Sequence, residues 1–482
     1  MAQHLDKNMD EIQKEIERIV GDGNIVQSLK IPEAHESVYF HQKNLHKPAF
    51  AVLPITSEDI LQVLKVANRE KINIVTWGGG TATYSGATMA PENSIIICLQ
   101  RLNKIIEIDE ADETVTVQAG ITIKALNREL KRRNLWWPHD PESKDNATVG
   151  GSISIDGVGT FFSKYGSARD MVLSVKIAFP DGQMVSIGRR VGHSIVGYDF
   201  LRLFTGSEGT LGIIVEATLK IDRIPESRIY EAVLFEDIGK AARASTDLLD
   251  SGFRPEAFFV EDFTRFYYNV VESNTSLDGA VKAAFGSMTA ALILSFSGSK
   301  EFVETNIKLS LDLLTENGGR KLEDNLVRDA WWYTKTELLY QMPPELREGD
   351  NRAQIATVDV CIPIGTLSWW NEQYREMTKK YELFLGGMRA YIGPNHDLMM
   401  AQRVVFDDSN LNDVKKYLGW VEELSKLAVD IGGTMSSNLG VGSKLVNIVE
   451  YEMQESAWIV RMLKKTFDPN DIMNRGKKII PS

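Results

Sequence analysis

Three glycine-rich segments carry the first chemical signal in this chain. They read Trp77-Gly78-Gly79-Gly80-Thr81, running on to Ser85-Gly86; Thr148-Val149-Gly150-Gly151-Ser152; and Gly206-Ser207-Glu208-Gly209-Thr210-Leu211-Gly212. Glycine admits positive φ and lets another molecule come close to the backbone. Successive N–H groups turned inward form a concavity that binds anions such as phosphate. A tight turn accounts for one such loop. Three in order, each flanked by apolar runs, point to one long phosphate-bearing ligand, a dinucleotide. The G-x-G-x-x-G and G-x-x-x-x-G-K-[ST] spacings are absent, and Gly440-Val441-Gly442-Ser443-Lys444 is only a fragment of the second.

Metal and thiol chemistry have fewer residues to draw on. The histidines are His4, His35, His41, His46, His139, His193 and His396. Only His396 lies beyond position 193, so the second half cannot supply a two-imidazole metal site, and no metal is expected. Cys98 and Cys361 sit in apolar runs and read as buried, inert thiols. Two cysteines are too few for a disulfide framework, a zinc knuckle or an iron–sulfur cluster.

The elements that would hold these loops alternate between strand and helix. Ala51-Val52-Leu53 reads as a strand, and Thr56-x-x-Asp59 is a capping box opening a helix with Ile60, Leu64 and Ala67 on one face. Residues 72–77 form a strand running into the first glycine loop. Further strands are expected at 95–99, 105–108, 114–119, 172–179, 184–187 and 215–221. From about residue 230 the glycine loops stop and aromatics rise, which marks a second domain. Its last helix, at about 412–431, ends at Gly432-Gly433, and another lies at 458–467.

Composition limits the function classes. The chain has 482 residues, 43% of them apolar and 25% charged, so it is globular and too long for a single core. A net charge of −12 argues against nucleic-acid binding. No apolar run approaches the roughly 18 residues of a membrane span. The polar, acidic start lacks a signal-peptide pattern, so a cytoplasmic location is expected.

Taken together, the segments resemble the FAD-binding flavoproteins of the vanillyl-alcohol oxidase and p-cresol methylhydroxylase (PCMH) family, in the branch of glycolate oxidase and D-lactate dehydrogenase flavin subunits. The likeness rests on Gly78-Gly79-Gly80-Thr81, Asp140-Pro141-Glu142-Ser143, Ala147-Thr148-Val149-Gly150-Gly151, Lys164-Tyr165-Gly166 and Gly206 to Gly212. The tail Phe467-Asp468-Pro469-Asn470-Asp471-Ile472-Met473-Asn474-Arg475-Gly476-Lys477 also fits, as does Val358-Asp359-Val360-Cys361-Ile362-Pro363 in the middle. The resemblance implies an α+β fold: a PCMH-type FAD-binding domain of two α+β subdomains (1–228), an α+β cap with an antiparallel sheet (229–425), and a C-terminal segment (426–482) returning to the FAD domain.

It also implies site residues. Gly78, Gly79, Gly80, Thr81, Ser85 and Gly86 would wrap the FAD pyrophosphate. Pro141, Ser143, Thr148, Gly150, Gly151 and Ser154 would line the flavin and ribityl chain. Gly212 and Ile213 would meet the adenine half, and Asn474 belongs to the same set. A histidine tethers the flavin in some members of the wider superfamily; Thr81 stands in that place here, so FAD is expected to be non-covalent. His139 and His193 read as polar residues at a domain surface.

The chain departs from the hydroxy-acid branch where that branch keeps a metal-ligand glutamate and a base histidine. Those segments read Tyr391-Ile392-Gly393-Pro394-Asn395-His396-Asp397 and Ser436-Ser437-Asn438-Leu439-Gly440. Hydride transfer to flavin needs a held substrate and a proton acceptor. His396 is the expected base, flanked by Tyr391 and Arg389, and Lys335 the expected anchor for an acid. The activity implied is an FAD-dependent dehydrogenase or oxidase taking a hydride from a 2-hydroxy acid or related alcohol, without the branch's metal site. An aromatic or phenolic alcohol, or service as the flavin subunit of an electron-transfer complex, are the alternatives. The expected partners are a small-molecule substrate and an electron acceptor, either oxygen or an electron-transfer protein. A homo-oligomer is expected as well.

Overall fold

A computed structural model describes residues 2–27, 48–82, 93–335, 353–407 and 410–479. Ser85 and Gly86 lie outside these residues. The first sheet is short and mainly parallel: Phe50–Val52 and Ile74–Trp77 both pair with Ile95–Cys98. The capping box forms as read, with Thr56 accepting from the Asp59 N–H and Asp59 Oδ2 accepting from the Thr56 N–H, each near 3 Å. It starts the helix Ser57–Glu70, whose Ile60, Leu64 and Ala67 are buried against that sheet. The chain returns to this sheet at its far end: Ile74 N–H donates to Ile472 O at 2.7 Å and Asn474 N–H to Ile74 O at 2.8 Å.

A second sheet is antiparallel, in the order 105–109, 114–118, 213–220, 172–178, 184–188. The helix Val149–Ile155 packs on strand Ile213–Lys220, and its N-cap Thr148 accepts from Gly151 N–H at 3.2 Å. This places the second and third glycine segments side by side. Glu208 N–H donates to Ser154 O at 2.7 Å.

The cap is one large antiparallel sheet, in the order 320–321, 227–235, 290–298, 257–262, 384–392, 397–407, 353–358, with 361–363 also on 397–407. Strands 353–358 and 361–363 are separated by a break at Asp359 and Val360. Side chains alternate across a sheet with period two. The even positions Phe258, Val260, Met388, Ala390, Ile392, Leu398, Met400 and Val404 are buried in a core shared with residues of helices Ile238–Asp250, Leu367–Lys380 and Leu411–Asp430. The odd positions therefore face the other way, toward the FAD-binding half. Among the described residues no helix is long and apolar enough to cross a membrane.

Candidate active site

A cleft separates the glycine loops from the odd face of the cap sheet. On one side it is lined by Gly78, Gly79, Gly80, Thr81, Pro141, Ser143, Thr148, Gly150, Gly151, Ser154, Gly212 and Ile213. Every described residue of the expected cofactor set except Asn474 is thus in one place. The glycines at the loop tip are required sterically: a Cβ on Gly79 would lie 2.0 Å from Asn146 O, and one on Gly78 2.5 Å from Thr148 Oγ1. Gly80 adopts φ +70°, which favours glycine. The loop can lie flat on Asn146–Thr148 only as bare backbone, leaving its other side open to the cleft.

Asn474 braces this wall from behind. Its Nδ2 donates to Glu208 O at 2.6 Å and Thr76 Oγ1 at 2.9 Å, and its Oδ1 accepts from Thr76 N–H at 3.2 Å. The same knot holds the loop before the tail, because the Glu208 carboxylate accepts from Val441 and Gly442 N–H, both at 2.8 Å.

His139 is a residue of the cleft that the sequence reading placed at a domain surface; it is instead buried. It sits against Trp137, ring centroids 4.8 Å apart, and neither ring nitrogen has a hydrogen-bond partner. Burial favours the neutral form and holds it down to about 4. His193 is exposed, as expected.

The opposite wall comes from the odd face of the cap: Phe259, Arg389, Tyr391, Met399, Ala401, Arg403 and Thr357. Strand register sets their neighbours, with Glu261 opposite Arg389, Arg389 opposite Ala401, and Thr357 opposite Arg403. Arg389 Nε bonds Glu261 Oε1, whose other oxygen accepts from Trp331 Nε1 at 2.7 Å. Arg389 Nη1 reaches Lys335 O at 3.0 Å, Tyr391 OH at 3.3 Å and Glu142 Oε1 at 3.3 Å, while Nη2 is buried without a partner. The nearby Glu261 and Glu142 carboxylates keep Arg389 charged despite burial.

Two lysines also line the cleft. Lys335 Nζ donates to Trp332 O at 2.8 Å and rests 4.0 Å from the Trp332 ring centroid; burial lowers it to about 8. Lys444 Nζ donates to Thr357 O at 3.0 Å, and burial lowers it to about 7 against the pull of Asp359. Asp359, at the strand break, gathers the loop where relatives were expected to hold a metal ligand and a base. Its Oδ2 accepts from Asn438 N–H at 2.7 Å and Leu439 N–H at 2.6 Å. Asn438 Oδ1 in turn accepts from Val158 N–H at 2.7 Å, joining the two halves. Among the described residues no group of three histidine, cysteine or carboxylate side chains is placed to hold a metal.

His396 is not brought to this cleft. It occupies the turn between Phe384–Ile392 and Asp397–Asp407, half-buried, with φ +60°, and its carbonyl accepts from Ile364 N–H at 3.3 Å. Arg389, Tyr391 and Lys335 do come together. The tryptophans that made the cap look aromatic are mostly structural: Trp331 and Trp370 are buried, and Trp332 stacks on Tyr230 at 4.3 Å.

A model of the FAD binding domain matches residues 48–188. A model of the FAD linked oxidases, C-terminal domain, matches residues 224–478, more than half of the chain. The chain belongs to the FAD-linked oxidases.

This FAD-linked oxidase is 27% identical over 95% of its length to the probable mitochondrial D-lactate dehydrogenase of Danio rerio, covering 90% of that protein. It is 26% identical over 89% of its length to the glycolate oxidase subunit GlcD of Bacillus subtilis, covering 88%. Its fold matches that of 4-ethylphenol oxidase from Gulosibacter chungangensis with a TM-score of 0.81 at 16% identity, each chain covered to 98%. FAD is the cofactor of this family of oxidoreductases, and the cleft fits it. A bare-backbone loop and a buried imidazole whose two nitrogens have no hydrogen-bond partner line the same cleft, which suits a large polar heterocycle.

Proposed function

We propose that this FAD-linked oxidase takes a hydride from the hydroxyl-bearing carbon of a 2-hydroxy acid. The observation that carries the reading is the cationic group Arg389, Arg403 and Lys335 on the cap wall, facing the cofactor loops, with Arg389 Nη2 buried and unpartnered. A guanidinium with free donors matches a carboxylate in charge and geometry. The names of the Danio rerio and Bacillus subtilis relatives favour the same substrate class.

Gly78 to Thr81, Thr148, Gly150, Gly151 and Ser154 would hold FAD, which would supply the hydride acceptor and would be non-covalent because Thr81 cannot form a tether. Arg389 and Arg403 orient the carboxylate, with Tyr391 fixing Arg389 and Lys335 adding a point charge. Lys444, lowered to about 7, suits the hydroxyl proton, since a base works best near the ambient pH. Oxygen or an electron-transfer protein would serve as the electron acceptor. A second reading, an aromatic alcohol, draws on Phe259, Tyr391 and Tyr417 in the cleft lining. The test is anaerobic mixing of the holoenzyme with 2-hydroxy acids, simple alcohols and phenolic alcohols. Bleaching of the flavin by an acid and not by the corresponding neutral alcohol supports the proposal; bleaching by phenolics alone overturns it.

A further inference from the structure

The arginines of the cap wall are met by a carboxylate from the other half of the molecule. Glu142, in the Asp140-Pro141-Glu142-Ser143 loop, points Oε1 at Arg389 Nη1 (3.3 Å) and Arg265 Nη2 (3.6 Å), and Oε2 at Arg403 Nη2 (3.6 Å). The arginine side chains are 2%, 3% and 13% exposed, whereas that of Glu142 is 25% exposed. Charge-assisted bonds between guanidinium and carboxylate close to about 2.7–2.9 Å when well made. All three contacts here are longer, so this carboxylate is held loosely among buried cations. Arg389 Nη2 and Arg265 Nε, both buried, have no hydrogen-bond partner, and Arg265 Nε lies 4.0 Å from Glu261 Oε1. The other carboxylate of the cluster, Glu261, is fully buried and already engaged by Arg389 and Trp331. Only Glu142 can leave, because it alone stands on the opposite wall and keeps contact with solvent.

We propose that Glu142 is a resident carboxylate that occupies the substrate's anion subsite and is displaced when an acid binds. The proposal rests on the carboxylate-binding role given above to Arg389 and Arg403. It explains how three guanidinium groups stay compensated in the empty enzyme without a permanent partner that would shut the site. It also makes the site selective. An acid replaces one carboxylate with another, while a neutral alcohol offers the arginines nothing in exchange for Glu142.

The test is calorimetric titration of the FAD-loaded protein with oxalate and with glycolate, alongside perturbation of the flavin spectrum. Glu142→Gln keeps the shape and removes the competing charge, and Glu142→Asp keeps the charge but draws it back. Both are expected to bind oxalate about tenfold more tightly than the wild type, since a like charge in a buried site opposes binding strongly. Adding Arg403→Gln to Glu142→Gln is expected to cancel the gain. Unchanged or weaker oxalate binding by both single variants overturns this proposal alone, as does a gain that survives Arg403→Gln. If neither oxalate nor glycolate binds wild type or variants, the carboxylate reading of the site falls with it.

Discussion

Arg389 and Glu261 face each other on adjacent cap strands with side chains 2% and 0% exposed, an ion pair withdrawn from water at the edge of the cleft. Such a pair is weak evidence of stability as a pair, but removing one member strands the other. Arg389→Met is therefore expected to destabilise the protein by about 3–5 kcal/mol. Adding Glu261→Gln should restore much of the loss. Thermal unfolding of the four proteins checks this; a double variant no better than Arg389→Met contradicts it.

Lys335 gives opposite pH trends for stability and for binding. Burial lowers it from 10.5 to about 8. Between those values the unfolded chain holds a proton that the folded chain has released, so the contribution of Lys335 makes folding more favourable as pH rises across that window. The penalty is complete below it and gone above it. Anchoring runs the other way, because the charge is lost as pH rises through about 8. KM for an acid should climb above that pH in the wild type and stay level in Lys335→Arg; parallel profiles would count against the anchor role.

His139 has the same sign at lower pH. Its folded value lies near 4 against an ordinary 6.5, so between these the unfolded state binds the extra proton and stability falls as the solution is acidified. His139→Phe removes that slope, and it removes two buried nitrogens without partners. The FAD-free variant should melt higher than wild type at pH 5, with a smaller difference at pH 7.5. FAD should bind about tenfold more weakly to it, the worth of one hydrogen bond. Fluorescence titration with FAD reads the second effect without any substrate, and unchanged FAD affinity would separate His139 from the cofactor.

Asn474→Ala loses four hydrogen bonds, two with Thr76, one to Glu208 O and a long one from Lys477 Nζ. It also places alanine at φ +43°, where asparagine is tolerated better. A loss of about 2–4 kcal/mol is expected, together with FAD that dialyses away. Retention of full FAD content after dialysis would show that the brace is dispensable.

What could be read from the sequence was what is encoded locally. The Thr56–Asp59 capping box follows from a few adjacent residues, and it forms. The cap wall is different, because Arg389 and Glu261 meet only through strand register across more than a hundred residues of chain. A signal did exist: Glu261, Arg389 and Arg403 stand at odd positions in strands whose even positions are mostly apolar. His396 misled because an imidazole next to an aspartate looks like catalysis, while Gly393-Pro394-Asn395 in front of it is turn chemistry, and the turn decided its place. Glu142 sat inside a recognised motif, and what it faces is supplied by another domain.

The bridge between Ile74 and Met473 sets an order of events during synthesis. The strand that carries the first glycine loop leaves the ribosome nearly four hundred residues before the segment that completes its edge. Until then Thr76 lacks Asn474, and Glu208 gains Val441 and Gly442 only some thirty residues earlier. Tight capture of the cofactor thus belongs after translation has passed residue 474, and a chain arrested in the cap would emerge colourless.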